Sequence, residues 1–194
     1  MDVKYGKFLG SYLMDKDNPL TEKLIKYAKD LLKEFPSPSD GAFHLEVFHT
    51  KDDEIFFCEI ASRIAGEPFP ASWEIAFQIN PMHEFINVQC GLPLNENLIN
   101  FSGIPRKIAG SVAFPSKSGH LRDIKEKCPF EWVHIYKTFL KPGSTITKTK
   151  GLSDVMCECV IIADNQNDFI NKMNIMAEWV ENSVNWDHSY FKKL

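Results

Sequence analysis

Over residues 41–66 the chain shows a two-residue alternation, then a polar break, then a run of β-forming residues. Phe43, Leu45 and Val47 alternate with His44, Glu46 and Phe48, the pattern of a half-buried strand. Lys51, Asp52, Asp53 and Glu54 interrupt it with turn-forming residues, and residues 55–60 return through Ile, Phe and Cys, which favour strands. The stretch therefore predicts two strands around a tight polar turn.

Elsewhere the period changes. Leu24, Ile25, Ala28, Leu31, Leu32 and Phe35 recur at 3.6-residue spacing, behind the start signal at residues 18–22 and ahead of Pro36. They predict an amphipathic helix whose lysines, at 23, 26, 29 and 33, form a solvated face. A short strand is expected at residues 7–14, before this helix. Beyond the hairpin come a Gly/Pro-punctuated loop at 64–70, a short helix carrying Trp73, Ile75, Ala76, Phe77 and Ile79, and a second running from Pro81 to about Cys90, closed by Gly91. In that second helix His83 and Glu84 are the groups able to reach a site, with His83 read as a surface residue. From Lys107 the texture turns to strands at 108–114, 120–124, 133–140 and 154–163, then a helix over 168–184 with Phe169, Ile170, Met173, Met176, Ala177 and Val180 inward. The expected fold class is α+β. An antiparallel sheet with flanking helices occupies residues 1–105, and a small α+β C-terminal lobe occupies 106–194.

Composition narrows the function. With 194 residues the chain can bury a real core, and its net charge of −4 offers no broad basic field for nucleic acid or an anionic membrane. No apolar run approaches the ~20 residues of a membrane-spanning helix. No signal peptide stands at the start, and five cysteines without a CxxC motif fit reduced thiols in the cytoplasm. Cys157 and Cys159 read as packing residues.

The chemistry concentrates in the hairpin. An even-membered loop centred between Asp52 and Asp53 makes partner numbers sum to 105, pairing Phe48 with Phe57, Glu46 with Glu59 and His44 with Ala61; an odd loop throws one Glu to the other face. Two carboxylates directly opposite repel unless one is protonated or a cation lies between them. Arg63, four residues past Glu59, falls on the same face roughly 13 Å along at strand rise, a span suited to a polyphosphate. A merely solvated hairpin face is the alternative reading of the same residues.

These residues carry a family resemblance. The string FHLEVFHTKDDEIFFCEIASRIAG resembles the metal-binding core of the ATP-grasp ligases, which place an acidic residue on one strand, a Glu about a dozen residues later on the next, and then an Arg. Glu46, Glu59 and Arg63 match it residue by residue. The form EIASRIAG is closer to the amino-acid ligase branch than to biotin carboxylase, which has Asn where this chain has Ala61. That change removes one side-chain oxygen from the metal's surroundings and leaves the place to water or substrate. Residues 110–121, GSVAFPSKSGHL, and the later Lys-Pro-Gly turn resemble that branch's C-terminal lobe.

The resemblance implies the C-terminal portion of an ATP-dependent carboxylate–amine ligase that forms an amide through an acyl phosphate. It implies Glu46 and Glu59 as ligands of Mg²⁺ (or Mn²⁺) and hence of ATP, with Arg63 as the catalytic group at the transferring phosphoryl. His44 is the candidate beside the acids, and Glu67 borders the amine substrate. The expected partners are Mg-ATP, a small carboxylate, an amino-acid-like amine and the ligase's N-terminal half, whose Gly-rich loop this chain lacks; alone, the chain is expected to be inactive. The rival expectation is a catalytically silent ATP-grasp-like domain kept for protein–protein contact.

Overall fold

The computed structural model describes residues 8–15, 17–35, 41–66, 68–99, 101, 103–149 and 154–190. In chain order the elements are strand β1 (Leu9–Tyr12), helix α1 (Pro19–Lys33), strands β2 (His44–His49) and β3 (Ile55–Ala61), and helices α2 (Phe69–Phe77), α3 (Pro81–Gln89) and α4 (Glu96–Ile99). There follow β4 (Ile108–Pro115), β5 (Gly119–Ile124), β6 (Val133–Thr138), β7 (Thr145–Ile146), β8 (Val155–Ala163), α5 (Gln166–Ser183) and β9 (Val184–Asp187). The expected α+β class is the one observed. Two compact units divide the chain, Met14–Arg106 in one and Met1–Leu13 with Lys107–Leu194 in the other.

In the second unit, β8 is one of the two interior strands of a sheet ordered β1-β4-β8-β6. Its near-continuous apolar run, visible in the sequence, reflects that position: Met156, Cys157, Cys159, Val160 and Ile161 are buried. Helix α5 lays Phe169, Met176 and Val180 into the same core, with Ile108, Val112 and Phe114 of β4. It starts at Gln166, two residues before the expected start, behind the cap Asn165, whose side chain accepts the Asp168 N–H. Two short strands escaped the sequence reading. β7 and β9 flank β5 in a three-stranded sheet, too short and too mixed in polarity to show a period.

β1 departs most from expectation. Grouped with residues 1–105 on sequence proximity, it instead pairs antiparallel with β4, Tyr12 opposite Gly110. A Cβ at residue 110 would sit 2.3 Å from the Ser11 carbonyl oxygen and 2.6 Å from the Tyr12 Cα, so only glycine permits the approach. The expected start of this strand, Lys7, lies outside the described residues.

In the unit Met14–Arg106, α1 follows its signals. Asn18 accepts the Leu20 N–H, and Pro19 occupies the first turn. The expected stop at Pro36 lies outside the described residues. Helix α3 ends as read, with Gly91 at φ 65° after the Cys90 cap.

Burial raises the Cys157 thiol to about 12 and also pushes Cys159 and Cys128 upward, so these side chains behave as apolar packing groups. Cys58 and Cys90 are exposed, and all five thiols are free. An Ellman titration of the native protein at pH 8 is expected to count only Cys58 and Cys90 quickly, the other three appearing on unfolding. Gly110→Ala is expected to cost about 1–3 kcal/mol, the usual range for overpacking, read as a lower denaturant midpoint.

Candidate functional site

The β2–β3 hairpin carries the candidate site, and its register rests on two compensating irregularities. At the tip, Thr50 N–H donates to the Glu54 carbonyl at 3.0 Å and Asp53 N–H to the Thr50 carbonyl at 3.2 Å. Asp53 adopts φ 62°, a left-handed conformation that Asp tolerates better than most residues. The loop is therefore the three-residue kind, a tight turn followed by a left-handed residue. Partner numbers near it sum to 104: His49 faces Ile55, Phe48 faces Phe56 and Val47 faces Phe57. The expected pairing of Phe48 with Phe57 is thereby corrected, because the loop is odd rather than even.

Left alone, that odd loop would separate the two acids. A bulge between Glu46 and Val47, with Cys58 as the extra residue on β3, restores a sum of 105. Glu46 then lies directly opposite Glu59, and His44 opposite Ala61, as the even register expected. Cross-strand partners bring their Cβ atoms to about 4.5–5.5 Å. Both Glu side chains are exposed, and Glu59 has no ion-pair or hydrogen-bond partner among the described residues. His44 shares the face, its Nε2 3.9 Å from Glu46 Oε1. The other ring nitrogen, Nδ1, is buried without a hydrogen-bond partner.

Arg63 is placed differently from the strand-rise arithmetic. β3 ends at Ala61, and Arg63 N–H turns back to the Ala61 carbonyl at 2.9 Å. The guanidinium Nη1 donates to the adjacent Ile64 carbonyl at 3.1 Å. Arg63 thus sits in a bend past the strand end, where alternation no longer assigns a face. Glu67 lies outside the described residues. Of the two candidates in α3, His83 is exposed, whereas Glu84 is buried and accepts the Asn95 N–H at 2.9 Å, a structural role.

One arrangement went unread in the sequence. Asp53 accepts a hydrogen bond from Lys23 of α1 and lies 2.9 Å from His49 Nε2 of β2. The Lys23 bond first, and the His49 contact second, hold the Asp53 carboxyl below the usual carboxylate range. The signal was present, since a left-handed position in a three-residue loop favours Asp, but which lysine meets it depends on packing.

Two of the acids fit a divalent cation. Mg²⁺ takes oxygen ligands from one or two carboxylates and fills its remaining positions with water and substrate phosphates. Among the described residues, no lysine or arginine pairs with Glu46 or Glu59. Among the described residues no group of three or more His, Cys, Asp and Glu side chains is gathered to hold a metal by itself.

Comparison with known proteins agrees with this geometry at the level of fold. No family model matches the chain. It is 21% identical over 189 residues to the L-arginine-specific L-amino acid ligase of Bacillus subtilis, covering 94% of this chain and 44% of that protein. Among solved structures, the phosphoribosylglycinamide synthetase of Anaerococcus prevotii matches with a TM-score of 0.71 at 16% identity, covering 92% of this chain and 45% of that one. The L-amino acid ligase of Bacillus licheniformis matches with a TM-score of 0.71 at 15% identity, over 92% of this chain and 44% of that one. The fold is that of the C-terminal half of an ATP-grasp enzyme, and the chain spans less than half the length of the relatives it matches.

The Asp53 link carries its own pH dependence. Its folded carboxyl is depressed, so its contribution is complete above the ordinary Asp range near pH 3.9 and is lost as pH falls through the lower folded value. Amide NMR signals of residues 52–54 are expected to shift and broaden on acidification through that window, and Asp53→Asn, which keeps the backbone preference, is expected to remove the titration.

Proposed function

We propose that the hairpin is one wall of a Mg-ATP site in a carboxylate–amine ligase. The observation that supports this reading best is the direct Glu46–Glu59 pairing, restored by a bulge where the loop alone would have parted the two acids. Packing gives no reason to spend an irregularity on two facing carboxylates, whereas cation binding does. The amino-acid ligases among the matched proteins support the same reaction class.

In the proposed reaction the γ-phosphoryl of ATP passes to a substrate carboxylate oxygen, giving an acyl phosphate and ADP. An amine then attacks the acyl carbon, the amide C–N bond forms, and inorganic phosphate leaves with the amine's proton released. Bound Mg²⁺, or Mn²⁺ in its place, supplies charge neutralisation for the nucleotide phosphates. Glu46 and Glu59 would hold it from one side, through oxygens that no lysine or arginine among the described residues occupies. Arg63, in the bend past β3, would present its guanidinium to the transferring phosphoryl, where a planar fork suits phosphate better than an ammonium. His44 would steady Glu46 or touch substrate, and Glu67 would border the amine. The small carboxylate and the amino-acid-like amine would be held jointly with the ligase's N-terminal half, and the reaction would run in the cytoplasm. A catalytically silent domain has no use for the restored pair.

The test is Glu59→Gln in the ligase containing both halves. ATP-dependent phosphate release with pooled amino acids is expected to disappear, while the denaturation midpoint stays or rises slightly because the facing carboxylates no longer repel. Undiminished phosphate release in that variant would overturn the assignment.

A further inference from the structure

Helix α5 carries two acids toward the end where a cation belongs. The C-terminal end of a helix is the negative pole of its backbone dipole, so cationic side chains are favoured there and anionic ones are not. The last turn of α5 holds no basic residue. It holds Glu181, with Glu178 one turn before it, and the two share a stripe of the helix with Asn174. Glu181 is answered from outside the helix: Lys117 Nζ, from the connection between β4 and β5, lies 2.9 Å from its Oε1. Glu178 is exposed and has no cation or hydrogen-bond donor among the described residues.

That stripe is one wall of a cleft of about 640 Å³, within the ~300–1,000 Å³ typical of small-molecule sites. All of its lining residues belong to the unit built on β8 and α5. Phe114, Met156 and Val180 line it and are themselves buried, which gives the cleft an apolar floor. Its charged lining groups are Glu178, Glu181 and Lys117, and the lysine is already paired. His188 lines it as well, with Nδ1 2.9 Å from the Ser118 carbonyl oxygen. A carbonyl only accepts, so Nδ1 holds the proton of the neutral ring and Nε2 keeps its lone pair. Apolar surface and acceptors are therefore what the cleft offers.

We propose that this cleft binds a small organic ammonium ion with an apolar body, and that Glu178 receives the ammonium group. The body lies on Phe114, Met156 and Val180, where removing apolar surface from water is favourable. The charge supplies the cation that the end of α5 lacks. A zwitterionic amino acid suits the cleft less well. Its carboxylate either displaces Glu181 from Lys117 or stays unpaired beside the negative pole of the helix. The site stands independently of the ligase reading, since no residue of the β2–β3 hairpin lines it.

The test is titration of the 194-residue chain with phenethylamine, L-phenylalanine and phenethyl alcohol, followed by NMR of the Met156, Val180 and Val184 methyl groups. Phenethylamine is expected to shift these signals saturably, with the zwitterion and the neutral alcohol binding about tenfold more weakly. Glu178→Gln keeps the shape of an exposed side chain. It is expected to remove the preference for the amine over the alcohol while leaving the circular dichroism unchanged. Lys117→Gln removes the cation facing Glu181 and is expected to tighten amine binding, a gain that a merely structural role does not produce. Glu131→Gln, at an exposed carboxylate outside the cleft, is expected to change nothing. Equal affinity for the amine and either analogue in the native chain overturns the inference, as does amine binding undiminished by Glu178→Gln. Shifts centred on Glu46 and Glu59 overturn it too, since they assign the amine to the hairpin.

Discussion

A β-strand repeats every two residues, so a hairpin's chemistry depends on whether an even or odd number of residues separates two side chains. Here the constraint is met twice. The three-residue turn sets one parity between Glu46 and Glu59, and the extra residue Cys58 reverses it. With the sequence unchanged, regularising either feature alone would put the two carboxylates on opposite faces, while regularising both would leave them paired. Every other placement in the hairpin, from His44 beside Glu46 to the facing pair Phe48 and Phe56, follows from that count.

The two units reach order by different means. Around β8 and α5, apolar burial dominates, the buried thiols of Cys157 and Cys159 pack as neutral groups, and the Tyr136 hydroxyl donates to the Lys125 carbonyl. In residues 14–106, burial is sparse and specific contacts matter more. Asn18 and Asn80 cap their helices, Glu84 ties down Asn95, and Asp53 links the hairpin tip to α1. Hydrogen bonds of this kind direct geometry well but add modest net stability.

Much of this was legible because it is local. Helix α1 carried a cap, a proline at its first turn and a 3.6-residue stripe, and β8 announced its interior position by being apolar on both faces. The pairing of Glu46 with Glu59 was reached from the sequence through an even loop, although the loop is odd and a bulge supplies the correction. Turn length and bulge position depend on backbone conformations that side-chain alternation does not encode. Non-local pairing was the other blind spot. Nothing in residues 9–12 names β4 as their partner, and Arg63 was projected along a strand that had already ended at Ala61.

The close crossing at Gly110 has a topological consequence. β1 and β4 are antiparallel neighbours, and the Leu13 N–H meets the Ala109 carbonyl at 3.0 Å. All of Met14–Arg106 therefore occupies the place of a hairpin loop, leaving and re-entering one sheet at adjacent points. A loop whose ends already touch constrains what it contains very little, since closure entropy grows only with the logarithm of its length. Such a junction lets the inserted unit lengthen, shorten or be exchanged while its host sheet keeps the same register.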